Sequence, residues 1–468
     1  MSTQKHSLTV FSLTMITVGS VDSIRNLPAT ALFGSQLIFY FTLAALFFLI
    51  PTALVSAELA SGWAKQGGIY IWVKQAFGKR TGFLAIWLQW IENVIWYPTI
   101  LSFVAGTVGY LINPSLTSNP YFLWSVIVTC FWGATFLNLR GMSSSAMFSN
   151  VCSLAGLLLP MSLIIGLGVV WMVQGNPLQI SFDIPSIVPH LADKSMWVSL
   201  TAIMMSFCGI EIATVHANDV KDPQHAFPKA LIYSVGIILV TLILGSLAIA
   251  IVLPGKDINL VAGIMQAFEA FFNNYNMPWM MPVVAIMLVL GGLGGVSNWI
   301  IAPTKGLLVA AEEGNLPEIF QRANSRGAPV VMLYTQAIIV TVLSALFLFM
   351  PSVNGSYWLL TALAAQLYML MYFIMFIAAI KLRFSEPTHH RPFKIPGGIL
   401  GMFFIAGIGI TGVVGTFIVS FIPPQDINVG SLFNYEMTLI LGLTVMCAPP
   451  FIFSWLQASK DSDLEPAL

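Results

Sequence analysis

The chain has 468 residues, 57% hydrophobic and only 8% charged, with nineteen basic and nineteen acidic side chains in balance. A soluble globular protein carries about 25% charged residues, so the composition excludes one and marks an all-α integral membrane protein with no separate soluble domain. No basic tract points to nucleic acid, and the four cysteines (Cys130, Cys152, Cys208, Cys447) lie in apolar segments without metal spacing.

Runs of about 20 apolar residues predict membrane spans. Twelve are predicted: 9–33, 37–60, 82–112, 121–139, 149–173, 197–217, 228–253, 280–311, 331–350, 356–382, 399–421 and 434–457. Met1–Val10 is not followed by a small-residue cleavage site, so the first segment reads as a retained helix. With both termini cytoplasmic, sixteen of the nineteen Lys and Arg fall inside; Lys194 and Lys256 fall outside and Arg25 is intramembrane. That bias fixes the expected direction.

Span 1 contains Gly19-Ser20-Val21-Asp22-Ser23-Ile24-Arg25-Asn26 between two apolar runs. A charge at bilayer depth costs roughly 2.5–3.5 kcal/mol on insertion scales. Gly19 and its small polar neighbours also disfavour continuous helix. Irregular backbone at this depth is tolerated where it lines a cavity, so a broken helix at a solute site is expected, with Gly19, Ser20, Val21, Asp22 and Arg25 as binding candidates. Two arrangements are open. Arg25 either faces the solute, attracting an anionic side chain, or pairs with Asp22 one turn away and leaves a pocket for neutral amino acids.

The stretch from Glu58 to Val73, with Gly67-Gly68 among aromatics, reads as a re-entrant or interfacial piece or an amphipathic loop. Span 3 holds Gln89, Glu92, Asn93 and Tyr97, which should face the bundle interior. Glu92 is a substrate or proton group, or a neutral carboxyl bonded between helices. Span 6 contains Ser206-Phe207-Cys208-Gly209-Ile210-Glu211, a second interruption followed by an acid, about 190 residues after the first. Paired interruptions in two halves point to an inverted-repeat transporter. Residues 9–173 (spans 1–5) would form one repeat and 197–382 (spans 6–10) the other, with 399–457 (spans 11–12) outside. Ser206, Phe207, Cys208, Gly209 and Glu211 complete the backbone site. Half-helix N-termini favour a carboxylate and exposed carbonyls an ammonium, which suits an amino acid. His216 and Asn218 close span 6. In span 8 the run Gly291-Gly292-Leu293-Gly294-Gly295 reads as close packing, and Trp299 is a candidate pocket wall. In span 10, Tyr368 and Tyr372 share a helix face, to close over a ligand or to bond across helices. Asp22, Glu92 and Glu211 are proton-coupling candidates. Residues 458–468 form a short polar cytoplasmic tail, expected to lack structure.

The chain resembles the amino acid–polyamine–organocation (APC) superfamily, with its LeuT-like fold, in Ala57-Glu58-Leu59-Ala60, Gly67-Gly68-Ile69-Tyr70, Gly314-Asn315-Leu316-Pro317 and Gly327-Ala328-Pro329-Val330. It is similar more narrowly to the bacterial glutamate/GABA antiporter family in Gly209-Ile210-Glu211 with His216-Ala217-Asn218-Asp219, Pro254-Gly255-Lys256-Asp257-Ile258-Asn259-Leu260, Ser297-Asn298-Trp299, Ile395-Pro396-Gly397-Gly398 and Ile422-Pro423-Pro424. The resemblance implies a 5+5 inverted repeat with helices 1 and 6 broken, and amino acid exchange across the inner membrane. Trp299, Tyr368 and Tyr372 match its aromatic pocket positions and Glu211 its span 6 acid. Three departures stand out. Arg25, Asn26 and Leu27 precede Pro28 where the acid-resistance member has aromatic and acidic residues. Asn150 stands where some relatives have Lys, and the long C-terminal plug is absent. The expected activity is amino acid antiport, with proton-coupled symport of neutral amino acids as the alternative. The expected partners are amino acids and the lipid bilayer. A channel is disfavoured because the polar residues cluster at mid-depth. An enzyme is not expected, because no nucleophile motif or phosphate loop appears, and neither is a cofactor or metal. Oligomeric state is left open.

Overall fold

The computed structural model describes residues 9–63, 67–140, 154–189, 197–213 and 223–464. Among these, ten helices are long and apolar enough to cross a membrane: Gly34–Gly62, Lys79–Ile112, Pro120–Leu139, Gly156–Val173, Lys229–Ala250, Pro278–Ser297, Val330–Phe349, Val353–Ser385, Gly398–Val419 and Leu432–Leu456. The segments predicted as spans 1 and 6 are each divided into shorter pieces. The first is α1 (Val10–Val21), a single 3-10 turn at Ile24–Asn26, and α2 (Leu27–Ala31). The second is Ser199–Ser206 (α5) and Ile210–Ala213 (α6). The other helices used below are α3 (Ile69–Phe77), α4 (Lys79–Ile112), α7 (Pro223–Ala250), α8 (Met281–Glu312), α9 (Val353–Ser385) and α10 (Leu432–Leu464).

Local chemistry sets several ends. Pro120 opens its helix at a position where no N–H is needed, and Asn119 Oδ1 accepts the N–H groups of Tyr121 and Phe122 (3.0 and 3.1 Å). Ser352 Oγ caps α9 through the Gly355 N–H (2.9 Å). Two expectations shift. The polar residues from Ala458 continue α10 as far as Leu464 rather than ending it. The stretch after Glu58 becomes the end of a long helix at Gly62 and, beyond Gly68, the short amphipathic helix α3.

The long helices α4 and α9 pack on each other, and α8 packs on α4. Together they make the buried centre, while large apolar side chains such as Phe11, Val173, Phe349, Leu400 and Trp455 stay exposed around it. In water such a surface is an interaction site; on helices of membrane-crossing length it is the face that lipid covers. The glycines of α8 work as packing residues. A Cβ on Gly291 would lie 2.4 Å from the Gly156 carbonyl oxygen, so two backbones meet there with no side chain between them.

Both halves of the first broken segment lie along α7. Ser234 Oγ is 3.3 Å from the Thr14 carbonyl, Thr241 bonds Asp22, and the hydroxyls of Thr30 and Ser246 are 2.6 Å apart. At the predicted cytoplasmic end, Glu58 is buried beneath Arg383 (Nε–Oε1 2.7 Å, Nη2–Oε2 2.8 Å) and accepts the Ile395 N–H at 2.8 Å. Arg391 lies over Trp63, 4.8 Å from the ring centroid, and Trp63 stacks on His389 at 4.5 Å. This fastens residues 386–396 to the end of the second apolar segment.

Candidate functional site

The first break falls later than the sequence suggests. Gly19, Ser20 and Val21 are still helical, and the backbone turns extended at Asp22 and Ser23. The glycine therefore does not make the break. A Cβ on Gly19 would meet nothing within 4 Å, which leaves open space beside the last turn of α1. Among the described residues, the carbonyls of Gly19 and Val21 receive no backbone N–H. They are the unpaired acceptors of a helix C-terminus, whose partial negative charge suits an ammonium group. Asp22 stands next to them, buried, with Oδ2 accepting from Thr241 Oγ1 (2.8 Å) and Oδ1 without a partner. The Thr241 hydroxyl is also 2.8 Å from the Ile237 carbonyl. With one proton to give, it serves a carboxylate or, when Asp22 is protonated, accepts from it and turns to Ile237.

Asp22 and Arg25 do not pair. The 3-10 turn sends the Arg25 side chain away toward α4 and α9. Its Nη1 donates to Thr99 Oγ1 (2.8 Å) and Tyr357 OH (3.2 Å), and its guanidinium lies over Trp96, 5.0 Å from the ring centroid. Nε has no partner, and no carboxylate of the described residues lies within ion-pair distance. Trp96 in turn packs against Trp299 at 5.8 Å. Arg25, Trp96 and Trp299 thus form one continuous array from the first broken segment to α8. An internal Asp22–Arg25 pair is replaced by a cation among neutral groups, because the extended backbone at Asp22–Ser23 removes the helical spacing that would bring the two together.

The second break spans Phe207–Gly209, where Gly209 takes φ +105°, a region that only glycine enters without strain. Its donors are already used. The Phe207 and Cys208 N–H groups bond to the carbonyls of Met204 and Met205, and the Gly209 N–H to Tyr372 OH (2.9 Å). The side chains of Ser206 and Cys208 bond back to Ala202 and Met204, and Phe207 packs edge-on against Phe41. Glu211 accepts from Gln89 Nε2 (2.8 Å) and Tyr368 OH (2.7 Å) on one oxygen, and from Tyr372 OH on the other. The two tyrosines therefore reach across helices to the span 6 acid.

Glu92 is buried, and its hydrogen bond comes from its chain neighbour Asn93 (3.0 Å), not from another helix. It lies within electrostatic reach of both Arg25 and Glu211. His216, Asn218, Asn150 and Cys152 lie outside the described residues. Four side chains that join the site were not singled out from sequence: Trp96, Thr99, Thr241 and Tyr357. Hydroxyls in apolar helices usually bond the preceding turn, and only helix-face arithmetic marks these. Thr99 is on the face of Gln89 and Glu92, and Tyr357 is on that of Tyr368 and Tyr372.

Comparison with known proteins agrees with this architecture. Residues 8–443 match the family model described as amino acid permease. An uncharacterised transporter of Legionella pneumophila is 48% identical over 97% of this chain and 98% of its own length. A glutamate/gamma-aminobutyrate antiporter of Lactococcus lactis is 30% identical over 97% of this chain and 92% of its own. A probable agmatine/putrescine antiporter of the same species is 22% identical over 86% of each. The helices, the broken segments and the match over nearly the whole length lead to one conclusion: the chain belongs to the amino acid permease family, within the APC superfamily of membrane transporters.

Proposed function

We propose that this transporter exchanges amino acids by alternating access and takes an acidic amino acid whose side-chain carboxylate is read by Arg25. The observation that carries the reading is the buried guanidinium with an unpartnered Nε and, among the described residues, only neutral side chains within bonding distance. Desolvating an ion costs several kcal/mol unless a counter-charge offsets it. A substrate carboxylate, bound in the two-pronged fashion that arginine favours, supplies that charge. The substrate ammonium would sit at the C-terminal carbonyls of α1 beside Asp22. The likeness to glutamate/gamma-aminobutyrate antiporters supports the exchange mode and the acidic substrate.

In this reading the two broken segments also cross the membrane. That makes twelve crossings in a LeuT-like 5+5 inverted repeat, in a bacterial inner membrane with both termini cytoplasmic, as the inside excess of Lys and Arg supports. The pocket is framed by Asp22, Arg25, Trp299 and the Glu211–Tyr368–Tyr372 cluster. Counterflow into proteoliposomes tests it. Labelled glutamate should enter vesicles preloaded with amino acid and fail to enter empty ones. Uptake of neutral amino acids into empty vesicles on an imposed proton gradient would replace exchange by symport.

A further inference from the structure

The α4 helix carries Gln89, Glu92, Trp96 and Thr99 at spacings of three, four and three residues, which places all four on one face. Its lower end meets the Glu211 cluster through Gln89 and its upper end meets Arg25 through Trp96 and Thr99. Glu92 stands between them, about 4.5 Å along the axis from Gln89 and about 6 Å from Trp96 at 1.5 Å per residue. The charged and titratable groups around it are Arg25 from the first broken segment, Cys208 and Glu211 from the second, Tyr368 from α9 and Tyr97 from its own helix. Of the carboxyl groups among the described residues, Glu92 is the one whose charge is felt at Arg25. Asp22 instead meets Thr241 and the backbone of Ser23.

We infer that Glu92 is the proton-linked partner of Arg25: it supplies the guanidinium's counter-charge in the empty site and takes up one proton when an anionic substrate replaces it. The inference rests on the acidic-substrate reading above. The charges balance simply. In the empty site the Glu92 carboxylate offsets Arg25 at a distance. A substrate carboxylate that bonds Arg25 directly would leave Glu92 as a surplus buried anion, close to Glu211. A solvent proton removes that surplus, so an acid and a proton are carried together. Glu92 makes no substrate contact in this scheme. It is a positioning residue acting through Arg25, and its carboxylate suits the task because Asn93 is the side chain that holds it, leaving it able to change charge without dismantling a network.

The test is L-glutamate binding by the full-length protein in detergent, between pH 6 and 8, where the ligand's own carboxylates do not titrate. If one proton is taken up per ligand, Kd should rise about tenfold per pH unit. Glu92→Gln, which mimics the protonated state, should bind at least as tightly as the wild type does at pH 6 and lose the slope. Glu92→Asp should restore it. In weakly buffered solution, glutamate should draw about one proton per site into the wild type and none into Glu92→Gln. A flat wild-type Kd with no proton uptake overturns the inference and leaves the acidic-substrate reading standing, as does a slope that persists in Glu92→Gln. If that variant does not fold, the similarly sized Glu92→Met takes its place, with the same loss of slope and of proton uptake expected. Failure of the wild type to bind glutamate at all overturns both.

Discussion

At Asp22–Ser23 and at Phe207–Gly209 the chain leaves the helix in the middle of an apolar segment, and the two interruptions are completed in different ways. The second has its N–H donors and its acid satisfied. Its three N–H groups have acceptors, its small side chains bond backward, and Glu211 is met by Gln89 and two tyrosines. Among the described residues, the first keeps unused capacity in one Asp22 oxygen and the Arg25 Nε, beside the terminal carbonyls of Gly19 and Val21. The difference lies in the charged side chains: a carboxylate met on both oxygens fixes a shape, whereas an unpartnered carboxylate oxygen and guanidinium nitrogen can take a ligand. In the proposed reading, recognition belongs to the first break and support to the second.

The largest effect expected from breaking this contrast is at Arg25. Losing a charge-assisted, two-pronged contact costs about 3 kcal/mol, so Arg25→Ala should weaken glutamate binding roughly a hundredfold, measured as loss of its stabilisation in a thermal-shift titration. Arg25→Lys, which keeps the charge and loses the fork, should fall in between. The next effect is at Glu211. Glu211→Gln removes the charge that three donors share, and should cost about 2 kcal/mol of stability while lowering exchange of acidic and neutral amino acids in the same proportion. Chemical denaturation with parallel uptake assays checks both parts.

A smaller change is expected at Thr241, whose hydroxyl steadies Asp22. Thr241→Val keeps the shape and removes one hydrogen bond worth about 1 kcal/mol. It should raise the Km for all amino acids alike, because the ammonium is common to them. The smallest lies far from both breaks, where Lys74 on α3 pairs with Glu313 beside Tyr70. Partial burial pushes the Glu313 carboxyl up, but Lys74 and Tyr70 outweigh it and hold it below its usual value. A depressed carboxylate stabilises the fold above its unfolded value of about 4.3 and stops doing so as pH falls through the folded value. Lys74→Ala should therefore cost under about 1 kcal/mol at pH 6–8 and nothing in strong acid, by thermal melts across that range.

Much of this was legible in the sequence for a physical reason. Hydrocarbon-length apolar runs leave few alternatives to helix, and Asp22, Arg25, Glu92 and Glu211 stand out because charge is so scarce among them. The pairing of those groups was not legible. Arg25 and Asp22 are three residues apart, and helical geometry would join them. The extended backbone at Asp22–Ser23 instead sends one toward α7 and the other toward α4 and α9. Partners such as Tyr357, 332 residues from Arg25, follow from packing and not from local spacing. The break lies inside the expected stretch Gly19–Asn26 but past its glycine, because Gly19 and Ser20 have low helix propensity yet are carried by the helix around them.

Glutamate and glutamine have the same shape and differ by one charge, so exchange of the two side by side isolates what Arg25 reads. In counterflow with preloaded proteoliposomes, the wild type should favour glutamate, and Arg25→Ala should lose glutamate exchange while keeping glutamine exchange within a few-fold. Equal loss of both would contradict the account, since Arg25 would then hold the fold or a group common to every amino acid.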